Sequence, residues 1–214
     1  MPSPAADSRT QCTSTREGPA LASLELFCGG ASLSFALKEA GFVVTAVDRP
    51  TNEHRPLVAP LPLDLTQASA QRKILDDILE GRYDYVHMSP PCGTASRARE
   101  RPISRARQRA GVPNPKPLRS EAFPRGLPGL EDSQPRQVVR VHMANILYDF
   151  VCQVAHARHS SGTPWTLENP GNSLFWWIPD VIELLSLNDV NDVFFRPACT
   201  AAPGTNGPAS AASL

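Results

Sequence analysis

Residues 22–48 read ASLELFCGGASLSFALKEAGFVVTAVD, and the order of patterns within them decides the fold. Ala22–Phe27 is a short apolar run suited to a buried strand, broken by Gly29-Gly30. Leu33, Ala36, Leu37 and Ala40 then fall on one helical face, and Gly41 supplies a stop. Phe42–Val47 returns to β-branched residues and ends at Asp48. Two strands joined through a helix in 27 residues make a βαβ unit, which places the strands parallel in one sheet.

The same alternation continues outward. Asp64 closes a short third strand around Pro60–Leu63, and Gln67–Glu80 follows as an amphipathic helix with Ile74, Ile78 and Leu79 inward. Tyr83–Met88 is a fourth strand, Val138–Arg158 a long helix, Pro164–Leu167 a fifth strand and Ile178–Leu187 a last helix. The sequence therefore predicts an α/β fold with an open, doubly wound, mostly parallel sheet of the Rossmann-like kind. Loops after the strands hold ligands in such a sheet. One domain is expected over 21–195, flanked by a disordered tail at 1–20 and an irregular tail at 196–214. Residues 93–137 show no periodicity, only Arg, Pro and Gly, which reads either as a functional loop or as a solvated, disordered linker.

Composition narrows the class. Formal net charge is zero, but eleven of the 21 Lys and Arg lie between Arg97 and Arg140 against four acids, Glu100, Glu121, Glu131 and Asp132. Such a concentration of positive charge suits nucleic-acid phosphates. The five cysteines are odd in number and lack C-x-x-C spacing, so neither a disulfide framework nor a metal site is expected. No apolar run approaches the ~18 residues of a membrane span. The polar first 20 residues carry no secretory signal pattern, so a nuclear or cytoplasmic location is expected.

Two ends of the sheet carry chemistry. Phe27, Cys28, Gly29 and Gly30 form a turn between strand and helix where a ligand can approach the backbone. Asp48, ending the next strand, is placed for ribose hydroxyls, and Asp64, ending the third, for an adenine amino group. The pyrophosphate fingerprint G-x-G-x-x-G is absent, so adenosine without a diphosphate, as in S-adenosylmethionine, fits better than NAD. At the other end, Ser89-Pro90-Pro91-Cys92 delivers a cysteine stiffened by two prolines, and Glu168-Asn169-Pro170 follows another strand. A thiol and an acid are what attack on an electron-rich cytosine requires: sulfur adds at C6 while N3 is protonated. An acid in that role calls for desolvation, for which Trp165, Trp176 and Trp177 are candidates, although core packing is the blander reading of all three.

In order and at workable spacing, Leu24-Glu25-Leu26-Phe27-Cys28-Gly29-Gly30, Asp48, Pro90-Pro91-Cys92 and Glu168-Asn169 resemble the cytosine-5 DNA methyltransferase family over roughly residues 22–195. The resemblance implies S-adenosylmethionine as methyl donor, with Phe27, Cys28, Gly29, Gly30, Asp48, Asp64 and Pro90 around it. It implies Cys92 as nucleophile and Glu168 with Asn169 at the base. The target cytosine would be flipped out of DNA, or out of RNA, on which the same chemistry occurs. Ser96, Arg97, Arg99 and Arg101 match the family's mobile catalytic loop and would contact phosphates. No membrane or metal partner is implied, and a monomer is expected. A silent remnant that binds cofactor or nucleic acid without turnover is the alternative from a different class.

Departures are specific. Ala31 stands where the family has a second glycine, Gly93 where a Gln usually follows the nucleophile, and Pro170 where a valine is usual. The family's arginine motif and recognition domain have no counterpart after Phe195. Read one base out of frame, the codons of Ala198 to Ser210 permit a basic, glycine-containing string like that motif. A frameshift near Arg196 is the expectation, and the coding DNA decides it.

Overall fold

The computed structural model describes residues 18–194; the expected frameshift and nearly all of both tails lie outside them. The strands are β1 (Ala22–Leu26), β2 (Val43–Asp48), β3 (Leu61–Pro62), β4 (Tyr85–Met88) and β5 (Trp165–Leu167). The helices are α1 (Ser32–Glu39), α2 (Ala68–Leu79), α3 (Arg105–Arg109), α4 (Leu130–Ser133), α5 (Pro135–Ser160) and α6 (Pro179–Leu185). All five strands are parallel, in the order β3-β2-β1-β4-β5. This is the Rossmann-like arrangement expected, and parallel throughout.

Strand alternation splits the sheet into two chemically different faces. Leu24, Leu26, Val86 and Met88 are fully buried against Ile74 and Ile78 of α2, Tyr148, Val151 and Val154 of α5, and Val181 and Leu184 of α6. Each such side chain contributes about 1.5–3 kcal/mol by leaving water. The alternate positions, Ser23, Glu25, Tyr85, His87 and Thr166, are polar, and α1 packs over β1 and β2. α5 starts at Pro135, earlier than the apolar spacing indicated, with its proline at the first turn where no intrahelical donor is missed.

The segment 93–137 is not the structureless linker that its lack of periodicity allowed. It contains a short 3-10 helix (Arg97–Glu100), α3 and α4, and it buries Leu118 and Leu130 against Val141 of α5. Arg125 reaches Asp149 of α5 (2.7 Å) and Asp180 of α6. A small second core therefore pins this segment onto α5.

Candidate active site

The loops after β1 and β4 leave adjacent strands toward opposite sides, which opens the crevice where doubly wound sheets bind ligands. On the β1 side, Phe27, Gly29 and Ala31 have φ of 63°, 52° and 51°. Glycine adopts that left-handed region freely, but Phe27 and Ala31 hold strain there of about 1–2 kcal/mol each. The turn is closed by Ala31 N–H donating to Cys28 O (2.7 Å) and Cys28 N–H to Val47 O (3.1 Å). Ser34 N–H, in the first turn of α1, donates to the buried Glu25 carboxylate at 2.8 Å. A carboxylate from the preceding strand thus meets the positive end of α1.

Asp48 lies beside this turn as the sequence indicated, and protein donors already surround it. Its Oδ2 accepts from Gly29 N–H (2.6 Å), Asn52 Nδ2 (3.3 Å) and Cys28 Sγ (3.9 Å), and its Oδ1 from Arg49 N–H (2.7 Å). The following loop folds onto the glycines: Asn52 Nδ2 donates to Gly29 O (2.9 Å) and Leu57 N–H to Gly30 O (3.0 Å). Burial, then Asp48 and Glu25, push the Cys28 thiol up to about 12, so it sits in the turn as an inert, protonated group.

Asp64 is further committed. Its Oδ1 accepts from the Thr66 hydroxyl (2.6 Å) and Thr66 N–H (3.0 Å), and its Oδ2 from Gln67 Nε2 (3.3 Å). Those bonds, the Thr66 hydroxyl first, hold its carboxyl below the usual carboxylate range. Asp64 closes the turn that precedes α2, with Thr66 donating to it two residues on.

On the other side the expected residues come together. β4 pairs with β5, with Met88 opposite Leu167, so Cys92 and Glu168 emerge at one rim. Ser89 Oγ donates to Glu168 Oε2 (2.8 Å), Asn169 Nδ2 to Pro90 O (3.0 Å) and Tyr148 Oη to Pro91 O (2.8 Å). Cys92 is half-buried, and its carbonyl accepts from Ala95 N–H (2.9 Å) and Ser96 N–H (2.8 Å). Burial and, less strongly, Glu168 raise its thiol above the ordinary 9.0, against a backbone hydrogen bond that lowers it. Asn169 is 8% exposed, and its Oδ1 has no partner among the described residues.

The predicted phosphate contacts divide. Ser96 Oγ accepts from Ala98 N–H (3.2 Å) and caps the short 3-10 helix, while Arg97 is paired with Glu121 and Glu100. Arg101 is exposed, and Arg99 donates to the Lys116 carbonyl (3.3 Å). Sequence reading counted Arg140 in the basic cluster without singling it out; from α5 its Nη2 lies 3.9 Å from where a Gly93 side chain would begin. The signal was the glycine: a residue without a side chain leaves room for one from elsewhere. The tryptophans follow the blander reading in part. Trp176 donates to Pro170 O (2.8 Å) and packs on the core, as Trp165 does, while Trp177 is exposed.

His87 offers a test of the polar sheet face. Its Nδ1 is 2.7 Å from Thr166 Oγ1, and burial lowers its basicity while Glu25 and Glu168 oppose that effect. The folded-state value lies below the ordinary 6.5, so the unfolded chain takes up the proton first. Stability is full above pH 6.5 and falls as pH drops through the folded value. Urea midpoints of the wild type should decline below pH 6.5, and those of His87→Gln should decline less.

Among the described residues no helix is long and apolar enough to cross a membrane, and no group of three or more His, Cys, Asp or Glu could hold a metal. Comparison with family models, curated proteins and solved structures finds no match.

Proposed function

We propose that this chain is the catalytic domain of a DNA cytosine-5 methyltransferase that works through a covalent bond between Cys92 and C6 of the target base. The convergence of Cys92 and Glu168 on neighbouring strand ends, tied by the Ser89–Glu168 and Asn169–Pro90 bonds, carries the reading. Cys92 adds to C6 as its thiolate, the thiol proton passing by way of the Glu168 carboxyl group to N3, and C5 becomes nucleophilic. S-Adenosylmethionine, when bound, supplies the electrophilic methyl group. After C5 is methylated, loss of its proton to a base expels the thiolate, and the N3 proton returns to Glu168.

The cofactor's chemistry fits the turn after β1. Glu25 already holds the α1 amide, which suits an adenosine ligand carrying no phosphate. Asp48 Oδ1, bonded among the described residues to Arg49 N–H alone, retains lone-pair capacity for a ribose hydroxyl. Phe27, Gly29, Gly30 and Pro90 would line the remainder.

DNA is the partner that the arginines favour. Among the described residues, Arg99 and Arg140 have a carbonyl and the Gln137 amide oxygen as their acceptors, whereas Arg97 is neutralised by two acids. Neutralising Arg99 and Arg140 together should flatten the salt dependence of duplex binding by about two counterions, roughly one per arginine. Arg97→Gln should leave that slope unchanged. A fluorescence-anisotropy salt titration measures both.

The deciding test is a duplex containing 5-fluorocytosine, incubated with S-adenosylmethionine and run on a denaturing gel beside Cys92→Ser. Fluorine cannot leave C5 as a proton does, so the reading expects a shifted band that the variant lacks. Folded protein without that band would favour the silent alternative, for which the raised Cys92 thiol and the donor-surrounded Asp48 speak. The same adduct on RNA alone would move the substrate to RNA.

A further inference from the structure

Behind Cys92 lies a network that the reaction steps do not themselves call for. Arg119 comes from the irregular part of the 93–137 segment, yet it is 1% exposed and, among the described residues, none of its hydrogen-bond partners is a carboxylate. Its Nε and Nη2 donate to Thr94 Oγ1 at 3.3 and 3.0 Å. Its Nη1 donates to Pro124 O (2.6 Å) and Asn145 Oδ1 (2.7 Å), and Nη2 also reaches Val141 O (3.3 Å). The guanidinium carbon sits 5.2 Å from the centre of the Tyr148 ring, and the Tyr148 hydroxyl donates to Pro91 O.

A buried cation facing only neutral oxygens is a costly way to fill space, since an apolar side chain would do so without desolvating a charge. Two of these contacts fall on the residues flanking the nucleophile. Tyr148 holds the carbonyl just before Cys92, and Arg119 holds the hydroxyl two residues after it. The Cys92 carbonyl is fixed between them by Ala95 and Ser96. With the backbone gripped on both sides, the direction of Cys92 Sγ is set by α5 and by the far end of its own loop.

We propose that Arg119 and Tyr148 are positioning residues, which clamp the Pro91–Thr94 turn so that Cys92 Sγ is aimed at the base beside Glu168. The proposal deepens the methyltransferase reading and rests on it for the identity of the base, but not for the clamp. It makes the segment between Thr94 and Pro135 a brace for the nucleophile. An enzyme that places its sulfur about 1 Å off line loses on the order of a hundredfold in rate.

The test uses the full chain with Tyr148→Phe, Thr94→Val, Thr94→Ser and Arg119→Lys. Tyr148→Phe keeps the ring that packs edge-on to Phe175 at 4.9 Å, so its fold should be retained even if the arginine variant fails. Three quantities are read: iodoacetamide alkylation at the Cys92 peptide, single-turnover adduct formation on the 5-fluorocytosine duplex, and duplex affinity. Tyr148→Phe and Thr94→Val should each slow adduct formation about tenfold with duplex affinity unchanged. Both should alter the Cys92 alkylation rate, and Thr94→Ser should restore wild-type behaviour. Unchanged alkylation and adduct rates in folded Tyr148→Phe and Thr94→Val would overturn the clamp. If the wild type forms no adduct, alkylation alone decides: a changed rate sustains the clamp, an unchanged one ends it. The missing adduct then counts against the methyltransferase reading only.

Discussion

Glu168→Gln is expected to make Cys92 more reactive and the protein less active at the same time. Burial holds the Cys92 thiol above 9.0, and the Glu168 charge raises it further. Removing that charge lowers the thiol's pKa, so more thiolate is present at pH 8 and alkylation by iodoacetamide speeds up. Glutamine still offers an oxygen to the Ser89 hydroxyl, which keeps the rim in place. It has no carboxylic proton for N3, and loss of a general acid lowers rates by about 10²–10⁴-fold. Adduct formation should therefore fall by at least a hundredfold while alkylation rises. Parallel loss of both rates would mean that Glu168 acts on the shape of the Cys92 turn and not on the base. Cys92→Ser should abolish both signals and leave duplex binding intact.

How far the site was legible depended on what kind of signal each residue gave. Residues 22–48 were readable because apolar spacing changes from strand to helix and back within them, and the structure follows with boundaries moved by one or two residues. Cys92 and Glu168 could be paired in advance because each follows a strand of one parallel sheet, whose strand ends share a rim. Asp64 was harder to read: an acid at a strand end looks the same in sequence whether it faces a ligand or closes a local turn, and here Thr66 and Gln67 both donate to it. Asp48 was placed correctly, but its surrounding donors come from Gly29 and Asn52, a contact no linear pattern displays. Least legible was the stretch after Cys92. Beyond Thr94 and Ala95, its buried residues Leu118, Arg119 and Leu130 are scattered among prolines and exposed charges, so no period emerges. Arg119 counted toward a solvated basic run, while it is among the largest fully buried side chains.

Arg119→Met is the change that best separates a brace from a linker. Methionine matches the arginine in length and adds no charge, but it leaves the buried Thr94 Oγ1 and the part-buried Pro124 O and Asn145 Oδ1 without their donor. Each buried polar group left unsatisfied costs about 1–3 kcal/mol, so a loss of about 2–4 kcal/mol is expected after partial relaxation. Leu118→Ala should cost about the same by a different route, because it opens a cavity in the small core with Leu130 and Val141. Against a total stability of about 5–15 kcal/mol for a domain, either loss is large. Arg107→Gln, on the exposed face of α3, should change stability by less than about 0.5 kcal/mol. Urea unfolding of the three variants measures the contrast. A solvated linker would give three small values. An integral segment gives two large losses and one small, and it carries the nucleophile with it. Ala95 O accepts from Leu174 N–H (2.9 Å), so the Cys92 turn joins the segment to the elements after β5. Loosening Arg119 releases the Thr94 end of the Cys92 turn while Tyr148 still holds Pro91 O, and Cys92 in Arg119→Met should be alkylated faster even at urea concentrations where the sheet remains folded.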